Sequence, residues 1–245
     1  MPTRLLLPIA LAQGLWVRQT VPRLPPAEGR RGTFGAGSGD VLRVVGVGDS
    51  IIAGVGVAHQ DRALLGHFAR RLHERSGRPV RWRACGVNGA DSTMIRERIA
   101  PVAPAADVYI VSAGVNDAVR GVSVTKFAAN LAEIAATLRR KSPQAALVFA
   151  GIPPLDRFPA LPWPLGAVLG GRAARLQAAS RAAAQQMRAI CFDFPADLPP
   201  GGFAPDGFHP ASQACDVWAE WLLETWLSCP PRPAASARGS ASPPA

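Results

Sequence analysis

Five nearly continuous apolar runs recur along the middle of the chain: "VLRVVGV" (41–47), "VRWRAC" (80–85), "DVYIVSA" (107–113), "AALVFAGI" (145–152) and "AICFDF" (189–194). Their β-leaning residues and lack of strict alternation predict strands buried on both faces. Stretches of helical period stand between and after them. "ALLGHFARRLHERSG" (63–77) places apolar residues at 64, 65, 68, 69 and 72 and closes on Gly77, the spacing of one helix face with a C-terminal glycine. "TKFAANLAEIAATLRRKSP" (125–143) repeats the stripe with Phe127, Leu131, Ile134 and Leu138 and ends in cations that suit a helix C-terminus. "GRAARLQAASRAAAQQMRA" (171–189) is helix-prone through its alanines, and "PASQACDVWAEWLLETWL" (210–227) reads as a last amphipathic helix. "STMIRERI" (92–99) reads as one or two helical turns.

Strands alternating with helices predict an α/β fold, a mainly parallel sheet covered on both faces. Right-handed crossovers favour a flavodoxin-like, five-stranded order 2-1-3-4-5, with the first run flanked by the second and third. The loops leaving those three strands then meet at one crevice, where such sheets bind ligands. The expected division is an N-terminal arm or signal-like segment with a Pro-rich strap over 1–40, one domain over 41–228, and a disordered Pro/Ala/Ser tail over 229–245.

Composition narrows the partners. The net charge is +10, but lysine occurs only at Lys126 and Lys141, and the arginines are scattered without a long basic block or interleaved stacking aromatics. Nucleic-acid binding is not expected; weak attraction to anionic membrane surfaces is compatible with the charge. The four cysteines, Cys85, Cys191, Cys215 and Cys229, form no C-x-x-C pair, so no metal site is expected. Fourteen helical steps would hold Cys215 and Cys229 about 20 Å apart, beyond disulfide reach. The opening "MPTRLLLPIALAQGLW" has an apolar run too short for a membrane span and interrupted by Pro8. A retained helix or arm on a cytoplasmic protein is the reading taken. Export or membrane attachment through this segment is the alternative.

The candidate chemistry follows the strand ends. Gly48-Asp49-Ser50 succeeds the first run, "CGVNGADS" with Gly89 the second, and "GVNDAVRG" with Asn116 and Asp117 the third; "APDGFHPAS" places Asp206 three residues before His209. Singly these are ordinary: a serine there caps a helix, and Asn-Gly makes a turn. Together they supply what acyl transfer needs. A serine hydroxyl requires a base to take its proton and donors to hold the oxyanion. His209 is the base candidate, and Asp206 reaches back to one ring nitrogen, fixing its tautomer. The oxyanion donors would be the backbone N–H groups of Ser50 and Gly89 and the side-chain amide of Asn116. No dinucleotide fingerprint, phosphate loop or G-x-S-x-G elbow is present.

In order and distribution, Gly48-Asp49-Ser50, Gly89, Gly114-x-Asn116-Asp117 and Asp206-x-x-His209 resemble the four blocks of the SGNH (GDSL-type) hydrolase superfamily. The resemblance spans 41 to about 225. It implies a flavodoxin-like, three-layer α/β/α sandwich and a serine esterase or lipase that uses no cofactor. Ser50 would be the nucleophile, Gly89 and Asn116 oxyanion donors, His209 the base and Asp206 the triad acid. Two departures stand out: Ile51 where the fuller motif has leucine, and a second block in which Gly86 competes with Gly89. The expected substrate is a small or medium carboxylic ester, lipid-derived acyl esters included. Acyl transfer, or an inactive binding module on the same fold, is the alternative. Substrate contacts are assigned to Asp49 and to the loop "IPPLDRFPALPWPLGAVLGGRA" (152–173), through Phe158, Leu161 and Trp163.

Overall fold

The computed structural model describes residues 6–36, 40–194 and 202–228. The expected disordered tail and Cys229 therefore lie outside the described residues. Six strands form one sheet: β1 (Arg31–Phe34), β2 (Leu42–Gly48), β3 (Val80–Gly86), β4 (Val108–Ser112), β5 (Ala146–Phe149) and β6 (Ile190–Cys191), in the order β1-β3-β2-β4-β5-β6. The five expected strands are β2 to β6, parallel, and in the expected order. The sheet has one strand more than expected, because Arg31–Phe34 adds to β3 as an antiparallel edge. The short, half-exposed sequence RGTF carries little strand signal, and its ladder with β3 supplies what it lacks.

Helices cover both faces. α3 (Leu64–Ser76) and α8 (Ser212–Ser228) lie on one side, burying Leu64, Leu65, Phe68, Leu72, Trp218 and Leu222 against Val44, Trp82, Ile110 and Val148. Arg71 and Arg75 of α3 pair with Asp216, Glu220 and Glu224 across their outer seam. On the other side α6 (Val124–Lys141) and α7 (Leu165–Gln186) bury Phe127, Leu131, Ile134, Leu169 and Leu176 against Val45, Tyr109, Leu147 and Phe149. α1 (Leu7–Thr20) packs outside α7. Three shorter helices follow the central strands: α2 (Ser50–Ala53), α4 (Ser92–Met94, continued by irregular turns to Val102) and α5 (Val115–Arg120).

α7 begins six residues before the helix expected from its alanine-rich part, so the loop after β5 ends at Pro164 rather than 173. Its opening turns contain Gly166 and Gly170, residues with poor helix propensity. A Cβ at Gly170 would stand 2.8 Å from the Asp156 Cβ. The glycines are there for close packing of the loop against the helix, and burial of that contact overrides propensity.

The central strands end level with one another. Gly48 of β2 is in register with Gly86 of β3 and Ser112 of β4. The chain is very tight at this point: a Cβ on Gly48 would lie 2.3 Å from the Ser112 carbonyl oxygen, and one on Gly86 2.3 Å from the Ala53 nitrogen. Small residues at the strand ends thus let α2 lie directly across the sheet and bring three loops to one place.

Candidate active site

Ser50 is the first residue of α2, and the Asp49 side chain caps that helix by accepting from the Ile51 N–H at 3.1 Å. The Ser112 hydroxyl donates to the same Asp49 oxygen at 2.8 Å. Asp49 is buried beneath the turn and is not among the residues lining the cleft.

Burial pushes the Asp49 carboxyl up to about 7, against hydrogen bonds from Ser112 and Ile51 that work the other way. The unfolded-state value is about 4, so between about pH 4 and pH 7 the unfolded chain releases a proton that the folded chain keeps. Folding stability attributable to this group therefore falls as pH rises through that window, by at most ~4 kcal/mol, and then levels off. Asp49→Asn keeps an acceptor for Ile51 and removes the titration. Thermal melting from pH 4 to pH 8 is expected to show the variant gaining on wild type as pH rises; parallel curves would refute the assignment.

Gly89 adopts a left-handed conformation, φ +78°, in the loop after β3, and its N–H makes no hydrogen bond among the described residues. Gly86 instead belongs to the strand end, where the space it leaves is taken by Ala53. Asn116 stands in the first turn of α5 and donates one amide hydrogen to the Ala90 carbonyl at 2.9 Å. Its second amide hydrogen has no partner among the described residues.

These two loops are tied together by side chains that the sequence pattern did not reveal. Asp117, completely buried, accepts from the Ser92 N–H and hydroxyl, and Asn130 of α6 donates to the Ser92 and Thr93 hydroxyls at 2.8 and 3.1 Å. Burial raises the Asp117 carboxyl above the usual range, opposed by those Ser92 hydrogen bonds. On the outer side Arg120 donates to the Gly89 carbonyl at 2.9 Å and pairs with Asp91, which caps α4. The Asp117 of the "GVND" run was legible as a residue; its partner in the loop after β3 was not.

The histidine loop folds on itself. His209 and Asp206 are joined through Nδ1 and Oδ2 at 2.6 Å, while Asp206 Oδ1 accepts the backbone N–H groups of Phe208 and His209, each at 2.9 Å. A carboxylate acceptor requires the imidazole to carry its hydrogen on Nδ1, which leaves Nε2 as the free base. Burial works to raise the Asp206 carboxyl, but the hydrogen bonds from His209 and Phe208 outweigh it and hold the group below the usual range. The loop is closed by Ala204 N–H donating to the His209 carbonyl at 2.8 Å and by Ala160 N–H donating to the Gly207 carbonyl at 3.1 Å.

Ser50 and His209 line one cleft, with Val115, Phe158, Phe194, Phe203, Phe208, Trp218 and Trp221 among its walls. Phe158 packs edge-on against Phe203 and Phe208, with ring centroids 5.1 and 5.2 Å apart. No hydrogen bond joins Ser50 to His209 among the described residues. Of the loop residues assigned to substrate, Phe158 reaches this cleft, whereas Leu161 and Trp163 do not. Leu161 turns into the core beside the start of α7, and Trp163 is exposed, its carbonyl held by Gln13 of α1. The aromatic walls come instead from the ends of β6 and the histidine loop, and from the tryptophan stripe of α8. That stripe is visible in the sequence, but which part of it meets the cleft depends on how α8 docks.

Comparison with known proteins gives a consistent picture. Residues 47–216 match the GDSL-like lipase/acylhydrolase family. The chain is 26% identical over 236 residues to the GDSL-like esterase Rv1075c of Mycobacterium tuberculosis, covering 88% of this chain and 74% of that one. The fold superposes on the crystal structure of TesA with a TM-score of 0.61 at 22% identity, over 76% of this chain and 99% of that chain. It superposes on a lipase/acylhydrolase from Enterococcus faecalis with a TM-score of 0.56 at 18% identity, over 79% and 100% of the two chains. These two superpositions bear on the fold alone.

Proposed function

This chain belongs to the GDSL-like lipase/acylhydrolase family, and from that premise we propose that it hydrolyses carboxylic esters of apolar acyl groups through an acyl-enzyme on Ser50. The observation that carries the reading is the Asp206–His209 pair at 2.6 Å opening on the same cleft as Ser50. As the substrate binds, His209 Nε2 takes the Ser50 hydroxyl proton while Oγ attacks the ester carbonyl carbon. The negative charge formed on the carbonyl oxygen is held by the backbone N–H groups of Ser50 and Gly89 and the second amide hydrogen of Asn116. Collapse expels the alcohol, which leaves with the proton from His209. Water enters, gives its proton to His209 and attacks the acyl-enzyme; the acid departs and Ser50 regains its proton. The missing Ser50–His209 hydrogen bond in the free protein is compatible with this, since such contacts often tighten only with substrate bound.

The substrate side follows from the cleft. Among the described residues its walls are aromatic and aliphatic, with Ser50 and His209 as the polar side chains. The oxyanion donors Gly89 and Asn116 stand outside those walls, so the acyl chain and the oxyanion would lie on different sides of Oγ. Such a cleft suits an apolar acyl chain. With p-nitrophenyl esters of increasing chain length, kcat/KM is expected to rise from acetate to a short or medium chain that fills the cleft and to fall for long chains. A serine-directed phosphonate is expected to label Ser50. A folded protein that neither turns over any ester nor takes the label would refute the hydrolase reading.

A further inference from the structure

The N-terminal helix α1 turns large apolar residues outward along Leu7 to Trp16. Its solvent-facing positions from Leu7 to Trp16 are Leu7, Pro8, Ile9, Leu11, Ala12, Leu15 and Trp16, every one of them apolar. Leu11 is 63% exposed, Leu15 65% and Trp16 58%. The face turned to the protein carries Ala10, Gln13, Gly14 and Val17. Gln13, the polar side chain of these two turns, points inward, donating to the Trp163 carbonyl at 2.8 Å and accepting from the Leu165 N–H at 3.0 Å. An ordinary surface helix does the reverse, with its large apolar residues inward. The inward glutamine also keys α1 to the start of α7, so the helix is docked by specific contacts as part of the domain.

The loop that α1 docks on carries a further exposed aromatic residue. Trp163, 69% exposed, sits on the loop whose carbonyl Gln13 holds, and the same loop carries Phe158 to the cleft. Large exposed apolar residues gathered on one helix mark an interaction site. The charge around it indicates the partner. Residues 1–27 include Arg4, Arg18 and Arg23 and no acidic residue. Arg18 and Arg23 line one shallow groove with Leu15 at the C-terminal end of the helix. Large aliphatic residues with tryptophans, bordered by arginines and free of acids, suit a helix lying in the headgroup region of an anionic bilayer. At 14 residues α1 is about 21 Å long, short of the hydrocarbon core, and no described helix is long and apolar enough to cross a membrane.

We propose that the outer face of α1 docks this protein in the plane of an anionic lipid surface, apolar residues in the acyl boundary and Arg18 and Arg23 among the headgroups. The proposal stands independently of the esterase reading, because its readout is vesicle binding. The test is flotation of the full chain with vesicles of phosphatidylcholine alone and with roughly one part in three phosphatidylglycerol. The wild type is expected to float, more so with phosphatidylglycerol. The triple variant Leu11→Ser, Leu15→Ser, Trp16→Ser is expected to lose about tenfold or more of the bound fraction while melting near the wild-type temperature. If that variant does not fold, Leu15→Glu carries the test, with the loss concentrated on the anionic vesicles. A wild type that stays with the free protein, or a folded variant that floats equally well, overturns the proposal. So does a wild-type dimer that the variant converts to monomer with no vesicle binding by either, which would make the face a contact between two copies.

Discussion

Alanine at position 50 is expected to lower kcat for ester hydrolysis by roughly 10⁴- to 10⁶-fold, the scale on which removal of a serine nucleophile acts when histidine and oxyanion donors remain. The size follows from the proposed chemistry: without Oγ no acyl-enzyme forms, and the remaining groups can only orient water. The fold should hardly notice. The Ser50 hydroxyl makes no hydrogen bond among the described residues, and the cap on α2 comes from Asp49 and the Ile51 N–H. Initial rates on a short-chain p-nitrophenyl ester, beside a melting curve for each protein, make the comparison. An intact variant retaining activity within tenfold of wild type would end the acyl-enzyme mechanism. Loss of phosphonate labelling in the same variant would tie the effect to the hydroxyl itself.

How far the site could be read from the chain depended on how local its contacts are. Asp206 and His209 are three residues apart in one tight loop, so spacing alone suggested their pairing. The strands β2 to β6 were legible because strands covered on both faces read as apolar runs. By contrast, Arg31–Phe34 becomes a strand only by pairing with residues 80–83, far along the chain, and its own sequence carries a glycine and two polar residues. The same holds for the struts of the site. Asp117 meets Ser92 across 25 residues, Asn130 meets Ser92 across 38, and Arg120 meets Asp91 across 29. No periodicity encodes such contacts; they exist because the sheet order places the loops after β3 and β4 beside one another. The loop after β5 misled for a related reason. Its apolar residues were a plausible wall, but Gly166 and Gly170 allow α7 to start early and draw Leu161 into the core.

Asp206→Asn is expected to cost about 10³- to 10⁴-fold in kcat with little change in the loop. Asparagine can still accept the Phe208 and His209 backbone N–H groups through Oδ1, as Asp206 does at 2.9 Å. Its amide nitrogen, however, would then face His209 Nδ1 as a donor. The ring must answer with a lone pair on Nδ1, which moves its hydrogen to Nε2, and the nitrogen proposed to serve Ser50 can no longer take a proton. The charge that steadies the imidazolium is lost at the same step. Stability supplies an independent check with a definite sign. The Asp206 carboxyl lies below its usual range in the folded protein, despite the upward pull of burial, because His209 and Phe208 hydrogen-bond to it. A depressed folded value means stability present above the unfolded value of about 4 and lost as pH falls through the folded one. Wild type should therefore out-melt Asp206→Asn at neutral pH, and the gap should close below about pH 4. A variant that keeps wild-type kcat would show that the carboxylate does not set the tautomer of His209. A stability gap unchanged into acid would show that the Asp206–His209 bond contributes no charge-dependent stability, whatever its part in catalysis.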